Sequence, residues 1–74
     1  MTNEKLLLRI GVAIRERRLA HGMSQEAFAD SIGMHRTYYS AIERGERNMT
    51  VQTILKVASA LGAKPSEIFA QAQA

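Results

Sequence analysis

Apolar positions recur at helical spacing along almost the whole chain. Leu7, Ile10, Gly11 and Ile14 share one face of a helix running roughly from Glu4 to His21. Phe28, Ala29 and Ile32 turn inward on a second helix, which begins after Ser24, a good N-cap. A third occupies about Arg36 to Arg44, with Tyr39 and Ile42 spaced to point the same way. Val51, Ile54, Leu55, Ala58 and Leu61 make an i, i+3, i+4, i+7, i+10 series on a fourth that starts after Thr50. Pro65 opens the fifth, with Glu67 near the positive end of its dipole. Gly22, Gly33, Gly45 and Gly62 each follow such a stretch, where a left-handed residue closes a helix. No alternating run of strand length appears. The pattern therefore predicts an all-α fold, a compact bundle of five short helices joined by turns of two to five residues. An Ala/Gln tail over 71–74 is expected to fray.

Composition narrows the class. The 74 residues, 46% hydrophobic and 23% charged, suit one globular domain spanning 1–74 and are too apolar for a disordered chain. Apolar runs such as Leu6-Leu7-Leu8 fall far short of the ~20 residues of a membrane helix, and no secretory signal core opens the chain. The chain has no cysteine, which excludes disulfides and thiolate metal sites and makes a reducing cytoplasm the expected compartment. His21 and His35 have no ligand-bearing neighbours in sequence, and Ser24, Ser31 and Ser40 lack a plausible base. No metal, cofactor or catalytic residue is expected, and the chain is not read as an enzyme. A core this small is better suited to a binding surface than to an enclosed pocket. The net charge of +3 is compatible with a polyanionic partner.

The stretch Gln25 to Arg44 points to that partner. Counting Gln25 as one, Ala29 falls at five, Gly33 at nine, Tyr39 at fifteen and Ile42 at eighteen. A small residue at five lets two helices cross steeply, and glycine at nine takes the positive φ of a tight turn. Large apolar residues at fifteen and eighteen anchor the second helix. Arg36, Thr37, Ser40 and Arg44 are left as a polar outer face. This is a helix-turn-helix arrangement over about 25–44, whose second helix enters the major groove.

The runs MSQEAFADSIGM, IERGERN and ILKVASALG resemble the Cro/repressor-type helix-turn-helix family over about Ile10 to Phe69. HRTYYSAIERGERNMT is most similar to the controller proteins of restriction–modification systems. The resemblance implies a bundle of the phage-repressor DNA-binding type and a dimeric, autoregulatory transcription factor on a palindromic operator. Its implied partners are double-stranded DNA, a second copy of the chain, a second dimer on an adjacent site, and RNA polymerase, but no membrane. Activation and repression are both open. A different class, an antitoxin-like interaction module that also binds DNA, shares this domain and would carry an extension for its protein partner.

Matched position by position, Arg36, Thr37, Tyr38 and Ala41 are the expected base-reading residues. Arginine can bond guanine O6 and N7 together, a threonine methyl can meet a thymine methyl, and Ala41 permits close approach. Ser24, Gln25, His35, Ser40, Arg44, Arg47 and Asn48 are assigned to the DNA backbone, with Arg17, where the family usually has an apolar residue, as a further candidate phosphate contact whose role is open. His35 is also the expected cap of the third helix. The family pairs the positions of Arg18 and Glu43 as an ion pair between two helices, which assigns them to structure. Because one recognition helix reads too few base pairs to be selective, two copies are expected, joined through Met49, Val51, Ile68 and Phe69. One of the last two is expected to fill the core.

Overall fold

The structure, a computed structural model, describes residues 3–73. Its five helices are α1 (Asn3–Ala20), α2 (Gln25–Ser31), α3 (Arg36–Glu43), α4 (Val51–Ala60) and α5 (Pro65–Gln73), with no strand among the described residues. Side chains close the helix starts as the sequence suggests. Ser24 Oγ accepts from the Ala27 N–H at 3.0 Å, and Thr50 Oγ1 from the Thr53 N–H at 3.1 Å. At α5, Glu67 Oε1 accepts the Lys64 N–H at 2.8 Å.

The core is drawn from every helix. Ile10, Ala13 and Ile14 of α1 meet Phe28, Ala29, Tyr39 and Ile42 on one side. Val57, Ala58, Leu61, Ile68 and Ala72 complete it on the other. The Phe28 and Tyr39 rings lie 5.1 Å apart with their planes tilted by 47°. Helix α1 packs against both α3 and α5 and so acts as the spine. His21, just past its end, donates from Nε2 to the Leu61 carbonyl at 2.9 Å, tying α1 to the end of α4.

Two helices approach to backbone contact. A Cβ on Gly11 would stand 2.8 Å from the Ile42 carbonyl oxygen and closer still to that of Glu43. Only glycine lets α1 lie this close to the end of α3. Gly45, at φ 72°, then reverses the chain, and a Cβ there would meet Leu8 Cα at 2.7 Å.

Several expectations are corrected. The buried stripe of α4 is Ile54, Val57, Ala58 and Leu61, whereas Leu55 is half exposed. Leu55 lies one turn beyond Val51 and Val57 one turn beyond Ile54, so the apolar positions of α4 admit two seams, and the core takes the one through Ile54 and Val57. Of Ile68 and Phe69, it is Ile68 that is fully buried and fills the core, as expected of one of the two, which leaves Phe69 exposed. Met49 packs partly against the core. The α3–α4 connection covers residues 44–50, longer than the short turns expected. Helix α5 continues through Gln73 with Ala72 buried, so residues 71–73 belong to the helix, and Ala74 lies outside the described residues.

Candidate nucleic-acid interface

Helix α2, a four-residue turn and α3 form the helix-turn-helix. The turn closes through two backbone bonds, Gly33 N–H to the Asp30 carbonyl at 3.1 Å and Met34 N–H to that of Ala29 at 2.9 Å. Together these are the paired bonds of a Schellman ending, completed by glycine at φ 65°. His35 follows in extended conformation and caps α3, its Nδ1 accepting the Thr37 N–H at 3.3 Å.

Helix α3 is sharply two-faced. Tyr39, Ile42 and Glu43 are buried, whereas Arg36, Thr37 and Arg44 are exposed and Ser40 is half-buried. Arg36 and Thr37 therefore stand at the free amino-terminal end of the helix. The guanidinium carbon of Arg47 lies 5.8 Å from the centroid of the half-buried Tyr38 ring. Arg44 donates from Nη1 to Ser40 Oγ, and its Nε and Nη2 each reach Glu46 Oε1 at 3.1 Å. Tyr38, Arg44, Glu46 and Arg47 border one open hollow on this face. Ala41 only lines it. At 7% exposure its methyl is a small, recessed part of the wall of that hollow.

Behind this face lies a buried polar cluster. Arg18 donates from Nε to Glu43 Oε2 at 2.7 Å and from Nη2 to Oε1 at 3.1 Å, a two-pronged pairing. Its Nη1 donates to the Met23 carbonyl at 2.8 Å, and Gln25 Nε2 donates to Glu43 Oε1 at 2.9 Å. One carboxylate thus joins α1, the start of α2 and the end of α3. The Tyr39 hydroxyl is buried beside the pair without a hydrogen-bond partner of good geometry, and burial pushes its pKa strongly upward.

Burial works to raise the pKa of Glu43. The Arg18 guanidinium, the adjacent Tyr39 hydroxyl and the Gln25 amide outweigh it and hold the carboxyl below its ordinary 4.5. A carboxyl depressed on folding stabilises the protein above its unfolded pKa and loses that contribution as pH falls through the folded value. Thermal melts are therefore expected to show the midpoint dropping below about pH 4.5, and Glu43→Gln should flatten that acid limb.

The remaining assigned residues are dispersed around this face. Ser24 is exposed with its hydroxyl engaged in the cap, Gln25 is half-buried, and Arg47 and Asn48 are exposed in the loop after α3. Arg17 is the exception. Its Nε donates to Gln71 Oε1 at 2.8 Å, and Gln71 Nε2 in turn donates to Glu16 Oε2 at 2.9 Å. It is turned onto α5 and not toward the α2–α3 face, a correction to its placement as a phosphate contact. Of the expected dimer residues, Val51 is 73% exposed and Phe69 also exposed. Leu55, at 50% exposure and one turn beyond Val51, adds apolar surface that the sequence reading had turned inward. Its i+4 spacing from Val51 was the available signal. Among the described residues, no helix is long and apolar enough to cross a membrane, and no group of three His, Cys, Asp or Glu side chains is gathered for a metal ion.

Comparison with known proteins extends this geometry. The sequence model of a family described as helix-turn-helix matches residues 14–68. Control protein C.BamHI of Bacillus amyloliquefaciens is 45% identical over 69 residues, covering 92% of this chain and 84% of its own. The crystal structure of the restriction-modification controller protein C.AhdI from Aeromonas hydrophila is 44% identical, with a TM-score of 0.80 over 84% of this chain and 94% of that one. The controller protein C.Esp1396I, solved as a tetramer with its natural 35-base-pair operator, is 32% identical with a TM-score of 0.80, covering 92% of this chain and 90% of its own.

Proposed function

Because the chain belongs to the helix-turn-helix family, among the restriction–modification controller proteins, we propose that it is a sequence-specific transcriptional regulator that binds a palindromic operator as a dimer. It controls its own gene and those of a restriction–modification system, acting on DNA in the cytoplasm. The observation that carries this reading is the free, polar amino-terminal end of α3, held in place by a buried opposite face.

Arg36 and Thr37 read bases, with Tyr38 at the groove edge. Gln25, Ser24, His35, Ser40, Arg44, Arg47 and Asn48 contact the sugar–phosphate backbone and fix the register. Val51, Leu55 and Phe69 supply apolar surface to the dimer, which sets two recognition helices about one turn of DNA, ~34 Å, apart. Two such dimers side by side on one operator suit a switch that responds to the protein's own concentration.

Substitution separates the two kinds of contact. Arg36→Ala should cost about 1–3 kcal/mol on the operator and flatten sequence preference, whereas Arg47→Ala should weaken all duplexes alike and reduce the salt slope by about 1. Fluorescence anisotropy titrations on DNA from upstream of the protein's own gene, and on a scrambled duplex, check both. Equal losses on the two duplexes for Arg36→Ala would remove it from base reading.

A further inference from the structure

We propose that Glu46 is an intramolecular competitor for DNA phosphate, occupying the guanidinium of Arg44 and so weakening DNA binding. The inference rests on the regulator reading above and adds to it a residue that sets affinity without touching DNA.

The geometry begins at the end of α3. Gly45 N–H donates to the Ile42 carbonyl at 3.0 Å and Glu46 N–H to that of Ala41 at 2.9 Å, with Gly45 at φ 72°. This Schellman ending pins the backbone of Glu46 beside the exposed face of the recognition helix. Its carboxylate takes Nε and Nη2 of Arg44, while Ser40 Oγ takes Nη1. All three nitrogens of Arg44 are thus directed at acceptors within their own subunit. One N–H on each Nη is left over, so a phosphate can reach Arg44 only at those two or by displacing Glu46 from the Nε–Nη2 edge, the edge suited to a two-pronged phosphate contact.

Neighbouring cations are held differently. Arg47 lies over the Tyr38 ring and has no carboxylate partner among the described residues. Arg36 bonds to no side chain there. Arg44 alone of the three meets DNA already paired to a carboxylate. Both members of the pair, Arg44 and Glu46, are more than half exposed, with side-chain exposures of 52% and 60%. Such a pair is weak enough for a phosphate to displace, so its effect is a modest tax on binding and not a block.

The test is a double-mutant cycle on Glu46→Gln and Arg44→Ala in the full chain, titrated against a mixed-sequence duplex of about 20 base pairs over a range of salt. Glu46→Gln should tighten binding about twofold to fivefold per subunit and steepen the salt dependence by up to ~0.9 per subunit, as one more cation becomes free to neutralise phosphate. In the Arg44→Ala background both gains should vanish. A gain of the same size in that background would mean that bulk charge is responsible, and unchanged or weaker binding by Glu46→Gln would mean that Glu46 orients Arg44 instead of withholding it. Either result overturns the inference while leaving the regulator reading intact. Failure of the unaltered protein to bind any duplex at ~50 mM salt would overturn that reading and the inference with it.

Discussion

Replacing Gly11 by alanine is expected to lower the thermal midpoint by roughly 8–16 °C, although the change improves helix propensity. In a helix interior alanine is favoured over glycine by about 1 kcal/mol. Against this, the added methyl would overlap the backbone carbonyls of Ile42 and Glu43, which belong to a helix end and cannot rotate aside as a side chain would. Overpacking a well-filled contact costs about 1–3 kcal/mol and more when backbone must move. Taking ~3 kcal/mol against ~1 leaves a net loss of at least ~2 kcal/mol, and each kcal/mol is worth about 4–8 °C in a domain of this size. Circular dichroism melts measure it directly. A midpoint unchanged or raised by the substitution would show that α1 and α3 stand farther apart than described here.

Arg18→Ala should destabilise the fold by about 3 kcal/mol or more, because it leaves the Glu43 carboxylate buried with only Gln25 as a direct hydrogen-bond partner. The Met23 carbonyl loses a donor as well. The sign of the acid response then distinguishes this origin from simple loss of packing. With the guanidinium gone, burial dominates and lifts the Glu43 carboxyl above its unfolded value. A carboxyl raised on folding favours the folded state below its unfolded pKa, so the variant should recover part of its deficit relative to the unaltered protein as pH falls. Melts of both proteins between about pH 7 and pH 4 would reveal it. A deficit independent of pH would shift the explanation from charge to lost contacts. Replacing both partners with apolar residues of similar volume should cost less than removing Arg18 alone.

The helices were legible because their boundaries carry local chemistry. Ser24 and Thr50 cap with their own hydroxyls, Pro65 opens α5, and the glycines sit where left-handed conformations end helices. The outward row of α3 followed from the spacing of Ala29, Gly33, Tyr39 and Ile42, since the turn at Gly33 and the burial of Ala29, Tyr39 and Ile42 leave Arg36 and Thr37 no inward side. What stayed hidden depends on relations between helices. The apolar face of α4 is broad enough to accept more than one seam, and the core took Val57 and left Leu55 outside. Gly11 reads as one small residue within a helical face, and nothing in its neighbours announces a backbone against it. Glu46 stood in plain view within IERGERN, yet only the reversal at Gly45 brings it to Arg44.

The division of α3 into an anchored side and an open side has a consequence for recognition. The residues that hold the helix to α1 and α2 are Tyr39, Ile42 and Glu43, while Arg36, Thr37 and Ser40 contribute little to the interior. Positions 36 and 37 can therefore be exchanged together with little penalty to folding. Under the proposed base-reading role, the outer end of α3 can change which duplex it fits while the interior that holds it stays the same.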